Sequence, residues 1–175
     1  MKVLKLLLIS VLFSCAHQSN NFVKTGTYQF RGGVFENERW TDSLEFKRHS
    51  WFQELTLVFE ALHVSLTSDS VFSKWLSPSE LMTVNSCLDF KVALLYTWDS
   101  SRISEGQFFE EMKSYGYERI SLPEFSRHLR MHPSYEKLAL QRYNVYGLCQ
   151  SRAISSDTSK PGLKLNFPGY RAVLF

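Results

Sequence analysis

Three side chains that could bind a metal ion are spaced four residues apart, at Glu124, His128 and His132. On one continuous helix this spacing would place a carboxylate and two imidazoles on the same face, a donor set suited to zinc. Pro133 follows directly and disfavours helical geometry at His132. Because the nearby sequence offers no further ligand, we interpret the three as exposed polar residues near the end of a helix. We predict neither a metal nor another cofactor.

Carboxylates that could act as an acid and a base occur at Glu110 and Glu111. Adjacent residues on a helix point about a quarter-turn apart, so these two cannot face each other. Glu105 or Asp99 could complete a pair in three dimensions, as carboxylate-based hydrolysis requires. Solvated charges on a helix are the simpler interpretation, and it is the one that we adopt.

Motifs for other kinds of catalysis are missing from the sequence. It contains no GxSxG, no HExxH, no phosphate-binding loop and no GxGxxG. Cys87 and Cys149 have no candidate catalytic histidine near them in the sequence. We therefore predict that the protein is not an enzyme, although active sites that assemble only in three dimensions leave a hydrolase as the alternative.

Cys15 carries the most specific chemistry in the chain. It ends the segment Leu12-Phe13-Ser14-Cys15. Two lysines come first in the chain, and an apolar run over residues 6–13 leads into this segment. That run is far shorter than the roughly 20 residues that a membrane-spanning helix needs, and it is typical of a cleavable export signal. The segment resembles the lipobox of bacterial lipoproteins.

This resemblance implies that a diacylglycerol is attached to the thiol of Cys15 and that the chain is cleaved between Ser14 and Cys15. Leu12 is the preferred residue at its position, whereas Phe13 is bulkier than the family usually has there. Ala16 is not the aspartate that retains proteobacterial lipoproteins in the inner membrane, so the resemblance favours the outer membrane. The alternative is an ordinary secretory signal with an incidental cysteine.

The charge balance is nearly neutral once the signal is removed. The whole chain has 20 basic and 17 acidic residues. Two lysines belong to residues 1–14, which leaves 18 basic against 17 acidic residues. No basic stripe remains that could bind nucleic acid, so we exclude such a partner. The lipid on Cys15 makes the membrane the predicted partner.

Two cysteines, Cys87 and Cys149, remain besides Cys15. An exported protein meets oxidising conditions, in which two remaining cysteines tend to pair. We therefore predict a disulfide between them, which would stabilise the fold by about 4 kcal/mol. Two separate buried thiols are the alternative.

Aromatic side chains make up 15% of the chain. Most recur at helical intervals, which predicts that they pack in a core. Trp40 lies in a polar stretch over residues 36–42, and it is our best candidate for an exposed contact with a partner. Tyr115 and Tyr117, on either side of a glycine, are two further candidates.

The chain divides into a signal peptide over residues 1–14, the lipidated Cys15 with a polar tether over 15–27, and a single domain over 28–175. Removing 14 of the 175 residues leaves 161, a suitable length for one domain with a core. The tail over residues 163–175 is apolar again. We expect it to dock, and a strand beside an N-terminal hairpin is one arrangement.

That hairpin is predicted from a pair of glycines, Gly32 and Gly33, between two short apolar segments. Two glycines suit the positive dihedrals of a two-residue turn. Such a turn would place Phe30 opposite Phe35 as a cross-strand aromatic pair.

Helices are predicted for most of the domain. Four serines are followed three residues later by Glu or Gln, the spacing of a capping box, namely Ser50, Ser77, Ser104 and Ser121. Apolar residues recur at helical intervals after each serine, and the helix from Pro78 is expected to continue to Tyr96. A last helix is expected to run from Tyr135 to Tyr146, where Gly147 would end it. The disulfide would then join the middle of one helix to the end of another.

The segment 55–66 is the least clear, because its apolar run would also suit a strand. The Ser50 cap and the position of Trp51 favour a helix. We therefore predict a mainly α fold, a compact multi-helix domain with a small N-terminal β-hairpin.

The combined features predict an envelope-anchored bacterial lipoprotein that acts as a non-enzymatic binding or structural module. Its partner would be an envelope protein or glycan. A hydrolase acting on the cell wall and an inhibitor or immunity-type protein of the envelope are the alternatives.

Overall fold

An antiparallel sheet forms the centre of the domain. The computed structural model describes residues 21–32, 42–53, 56–66, 71–132, 135–136, 139–151 and 163–175. Its strands are β1 (Asn21–Gly32), β2 (Asp42–Gln53), β3 (Thr56–Ser65), β4 (Cys87–Thr97), β5 (Tyr117–Ile120), β6 (Asn144–Ser151), β7 (Lys164–Leu165) and β8 (Val173–Leu174). The first six pair in the order β1-β2-β3-β4-β6-β5. The prediction of a mainly α fold is therefore wrong.

Three α-helices have both ends within the described segments: α1 (Pro78–Ser86), α2 (Glu105–Ser114) and α3 (Pro123–Met131). Two short 3-10 helices span Val71–Trp75 and Leu140–Arg142. Ser77 and Ser104 form the predicted capping boxes at the starts of α1 and α2. The predicted box at Ser121 does not form, because Leu122 is the N-cap of α3 and makes no side-chain cap.

The carboxylate of Glu80 supplies the N-terminal cap that the side chain of Leu122 cannot provide for α3. Its two oxygens accept from the backbone N–H of Ser77, at 2.7 Å, and from that of Glu124, at 3.0 Å. One buried side chain therefore caps both α1 and α3. Glu80 thus fixes the position of the two helices relative to each other.

The segments predicted as helices after Ser50 and over 55–66 are strands β2 and β3. In β3, every residue from Val58 to Val64 is buried, because both faces of the sheet are covered. A strand covered on both sides has a continuous apolar sequence, and periodicity alone cannot distinguish it from a buried helix. That ambiguity explains the error.

Two other predicted helices are wrong in their C-terminal parts. Helix α1 ends at Ser86 instead of continuing to Tyr96, and the chain passes directly into β4. The end of the predicted last helix belongs to β6, with Gly147 inside the strand. A Cβ atom on Gly147 would lie 2.6 Å from Cγ1 of Ile120, so this glycine allows close packing and does not end a helix.

The N-terminal hairpin has a longer connection than the glycine pair predicts. Strand β1 pairs with β2, and the register places Phe30 opposite Leu44. Phe35 and Gly33 lie outside the described residues. Strand β1 begins at Asn21, inside the range that we assigned to the tether.

The C-terminal tail docks on the sheet, but not as a strand beside β1. Strands β7 and β8 pair only with each other among the described strands. Leu165, Phe167 and Phe175 of the tail are buried. They pack with α2 in one core, on the face of the sheet that carries Trp51. The other face packs against α1 and α3.

The predicted disulfide between Cys87 and Cys149 is present, with 5.4 Å between the Cα atoms. It joins β4 to β6, next to a register shift between Cys87 and Asp89. The bond therefore links two strands and not two helices. No helix in the described part of the chain is long and apolar enough to cross a membrane.

Candidate functional site

A groove opens between the β1–β2 pair and the C-terminal tail. Its volume is about 400 Å³, within the range of small-molecule sites. Strand β1 contributes two residues, strand β2 two and strand β8 two. The lining residues are Thr25, Gly26, Lys47, His49, Val173 and Leu174.

The inner wall of the groove is formed by His49, which is only 4% exposed. Strand alternation places it on the same face of the sheet as Trp51. Its ring stacks on that of His63 in β3, with the centroids 5.4 Å apart and the planes inclined by 11°. Phe175 covers His63 from the tail, at a ring distance of 3.9 Å. These contacts hold the imidazole of His49 in place.

Several buried polar atoms in this cluster lack hydrogen-bond partners among the described residues. They include both ring nitrogens of His49, Nδ1 of His63 and Nε1 of Trp51. A buried donor or acceptor without a partner costs about 1–3 kcal/mol. His49 lines the groove, but both of its ring nitrogens are buried, so a polar group bound there would reach one of them only after a neighbouring side chain shifts.

Burial also sets the protonation of the two histidines. It lowers the pKa of His49 to about 4, and the nearby ammonium of Lys47 contributes further. Burial lowers the pKa of His63 to about 3, with additional repulsion from His49, Lys91 and Lys47. Both rings are therefore neutral at pH 7. Each neutral ring offers one N–H donor and one nitrogen acceptor.

Acidification should consequently destabilise the fold. Above pH 6.5 both rings are neutral in the folded and unfolded states. Between pH 6.5 and about 4 for His49, or about 3 for His63, only the unfolded chain binds protons. The free energy of unfolding then falls as the pH falls, by about 2–3 kcal/mol for each histidine at pH 4.5.

Urea unfolding at a series of pH values between 7.5 and 4.5 measures this effect. The double variant His49→Phe/His63→Phe should lose most of the pH dependence, whereas His128→Phe, outside the cluster, should keep it. An unchanged slope in the double variant would contradict the assignment.

The rim of the groove carries positive charge. Lys47 lines it and is exposed. None of the six lining residues is acidic. The groove therefore combines a cation at its mouth with a neutral imidazole inside.

A second group of polar side chains lies on the opposite face of the sheet, around Glu60. This residue is 0% exposed. Its carboxylate accepts from Ser50 Oγ at 2.9 Å, from the hydroxyl of Tyr143, and from guanidinium groups of Arg48 and Arg142. Internal donors engage both oxygens, and solvent does not reach them. We therefore assign Glu60 a structural role.

Two of the aromatic residues predicted as exposed contacts, Tyr115 and Tyr117, do not line the groove. Tyr117 is buried and donates to the carboxylate of Asp89, and burial together with that bond raises its pKa. Tyr115 is half-buried and donates to the backbone oxygen of Lys164 at 2.6 Å. Trp40 lies outside the described residues, as does Cys15. Trp98 is 68% exposed, which the sequence analysis did not predict.

The residues considered as metal ligands have other partners. Glu124 forms an ion pair with Arg127, while the rings of His128 and His132 lie 6.2 and 5.9 Å from that of Trp75. The backbone of His132 is extended at the end of α3. Within the described segments, no three His, Cys, Asp or Glu residues are placed to hold a metal ion.

The carboxylates considered for catalysis are likewise engaged separately. Glu105 accepts from Tyr146 at 2.6 Å, and Asp99 from Ser101 Oγ at 2.6 Å. Glu111 accepts from the backbone N–H of Asn166 at 3.1 Å. The hydrogen bonds of these three therefore go to other residues and not to a shared site.

Sequence reasoning missed the groove entirely. The available signal was the alternation of Lys47, His49 and Trp51, which a strand places on one face. A scan of protein-family models, a search of curated proteins and a search of solved structures found no match for this chain.

Proposed function

We propose that this protein is a lipid-anchored, non-enzymatic binding domain of the bacterial cell envelope, whose groove between β1, β2 and the tail binds a small ligand. The observation that carries the proposal is His49, which is almost fully buried, lines a 400 Å³ groove and has two ring nitrogens without a partner among the described residues. The lipobox resemblance at Cys15 supports the anchor, and Ala16 favours the outer membrane.

The groove is better suited to binding than to catalysis. Thr25 lies opposite His49 in the strand register, which would suit a nucleophile and its base. An activated hydroxyl needs a hydrogen bond to that base, and neither ring nitrogen of His49 makes one with a described residue. The groove also lacks an acidic lining residue that could orient the imidazole.

Blocking the groove should abolish ligand binding. The variant Thr25→Trp places an indole in the groove, whereas Thr56→Trp makes the same change at an exposed strand residue outside it. Native mass spectrometry of the full-length protein, released from its own membranes in mild detergent, should show a bound small molecule in the wild type and in Thr56→Trp. Thr25→Trp should carry none.

Two outcomes would contradict the proposed ligand site. One is a wild-type protein that carries no small molecule, and the other is a Thr25→Trp variant that carries the same molecule as the wild type. Turnover of purified cell wall by the wild type would overturn the non-enzymatic part of the proposal.

The anchor has a separate test. Radiolabelled palmitate should enter the wild-type protein in bacterial cells and should not enter Cys15→Ala, because the thiol of Cys15 is the only one in the lipobox-like segment. A double variant that lacks Cys87 and Cys149 should still incorporate the label. Equal labelling of the wild type and Cys15→Ala would refute the anchoring assignment.

A further inference from the structure

The chemistry of the groove walls indicates the class of ligand. Val173 and Leu174 give the groove an apolar edge, and Leu174 is 66% exposed. Opposite them, the ammonium of Lys47 and the imidazole of His49 project from one face of β2, because the two residues are separated by one position in a strand. The groove therefore has an apolar side and a side that donates hydrogen bonds.

We infer that the groove binds a carboxylate that carries an apolar chain, with the carboxylate between Lys47 and His49 and the chain along Val173 and Leu174. This inference rests on the proposed function of the groove. A carboxylate can accept a charge-assisted hydrogen bond from the ammonium of Lys47 and a second bond from the N–H of His49. The bond to His49 would satisfy one of the buried ring nitrogens that has no partner among the described residues.

The charges argue against other ligand classes. A cationic ligand would be repelled by Lys47, and no lining residue is acidic. A phosphate monoester carries nearly two negative charges at neutral pH, whereas a single ammonium lines the groove. A neutral alcohol could contact His49, but it would lose the charge-assisted bond to Lys47, which is roughly twice as strong as a neutral one.

Calorimetric titration of the full-length protein at pH 7.4 tests this inference with three probes of equal chain length: octanoate, 1-octanol and octylammonium. Octanoate should bind about ten-fold more tightly than 1-octanol, and octylammonium should bind more weakly than either. The variant Lys47→Met should reduce octanoate affinity to that of 1-octanol. Lys113→Met, an exposed lysine on α2, should bind octanoate as the wild type does.

The outcomes separate this inference from the proposed function. If octanoate and 1-octanol bind equally and Thr25→Trp abolishes both, the groove is a ligand site and the carboxylate inference is wrong. If octanoate does not bind, or if Lys47→Met leaves its affinity unchanged, the inference is also wrong. If Thr25→Trp retains full octanoate affinity, the ligand binds elsewhere and the groove itself loses its assigned function.

Discussion

Replacing Glu60 by alanine should destabilise the protein by about 3–5 kcal/mol, the range measured when one partner of a buried ion pair is removed. The carboxylate of Glu60 is fully buried and accepts from Ser50, Tyr143, Arg48 and Arg142. Without Glu60, the guanidinium groups of Arg48 in β2 and Arg142 before β6 would lose the carboxylate that both contact.

Urea unfolding of Glu60→Ala, compared with Glu118→Ala on the exposed side of β5, measures this cost. Glu118→Ala should change the free energy of unfolding by about 0.5 kcal/mol or less. The double variant Glu60→Leu/Arg48→Met should cost less than the sum of its single changes, because it removes a charge of each sign. Additive costs would show that the two side chains do not act as a pair.

Loss of the disulfide between Cys87 and Cys149 should cost about 4 kcal/mol. The two cysteines are 62 residues apart, and opening a loop of that length restores this much conformational entropy to the unfolded chain. The bond joins β4 to β6, so it closes the loop that contains α2, β5 and α3. Without the disulfide, packing and hydrogen bonds alone would hold β4 and β6 together.

The measurement is urea unfolding of the wild type with and without a reducing agent. Reduction should lower the free energy of unfolding of the wild type and should have no effect on Cys87→Ala/Cys149→Ala, which starts at the lower value. If the oxidised wild type and the double variant have equal stability, the disulfide contributes nothing to the fold. Alkylation of the thiols of Cys87 and Cys149 in the protein purified without reducing agent would show that the bond does not form.

The sequence predicted features that depend on neighbouring residues better than it predicted the sheet. The capping boxes at Ser77 and Ser104 are local, since each joins residues three positions apart, and both were predicted. The positive φ of 80° at Gly116, after α2, likewise follows from glycine itself. The disulfide followed from the number of cysteines and the expected compartment.

The sheet could not be predicted in the same way, because helices and the tail cover both of its faces. This burial makes the centre of β4 a continuous apolar run and leaves the buried part of β3 apolar except for Glu60 and His63, and the apolar residues of both strands also match helical intervals. Pairing partners are distant in sequence, as with Phe30 and Leu44 or Trp51 and Phe59. As long as the strand pairing is unknown, no feature of the sequence indicates that the tail packs against β2.

The groove was missed for that reason. Its lining residues come from three separate segments, and Thr25 is nearly 150 positions from Val173. His49 resembled any other polar residue while the segment was interpreted as the start of a helix. Only its position on a covered face of the sheet shows that it is buried and lacks a partner among the described residues.

A crystal structure of the full-length protein purified from its native host is the most direct test of the proposed ligand groove. The expected result is an organic molecule between Thr25 and Leu174, with a polar atom within about 3.2 Å of a ring nitrogen of His49. A groove that contains only solvent, or a bound molecule located elsewhere on the domain, would contradict the account.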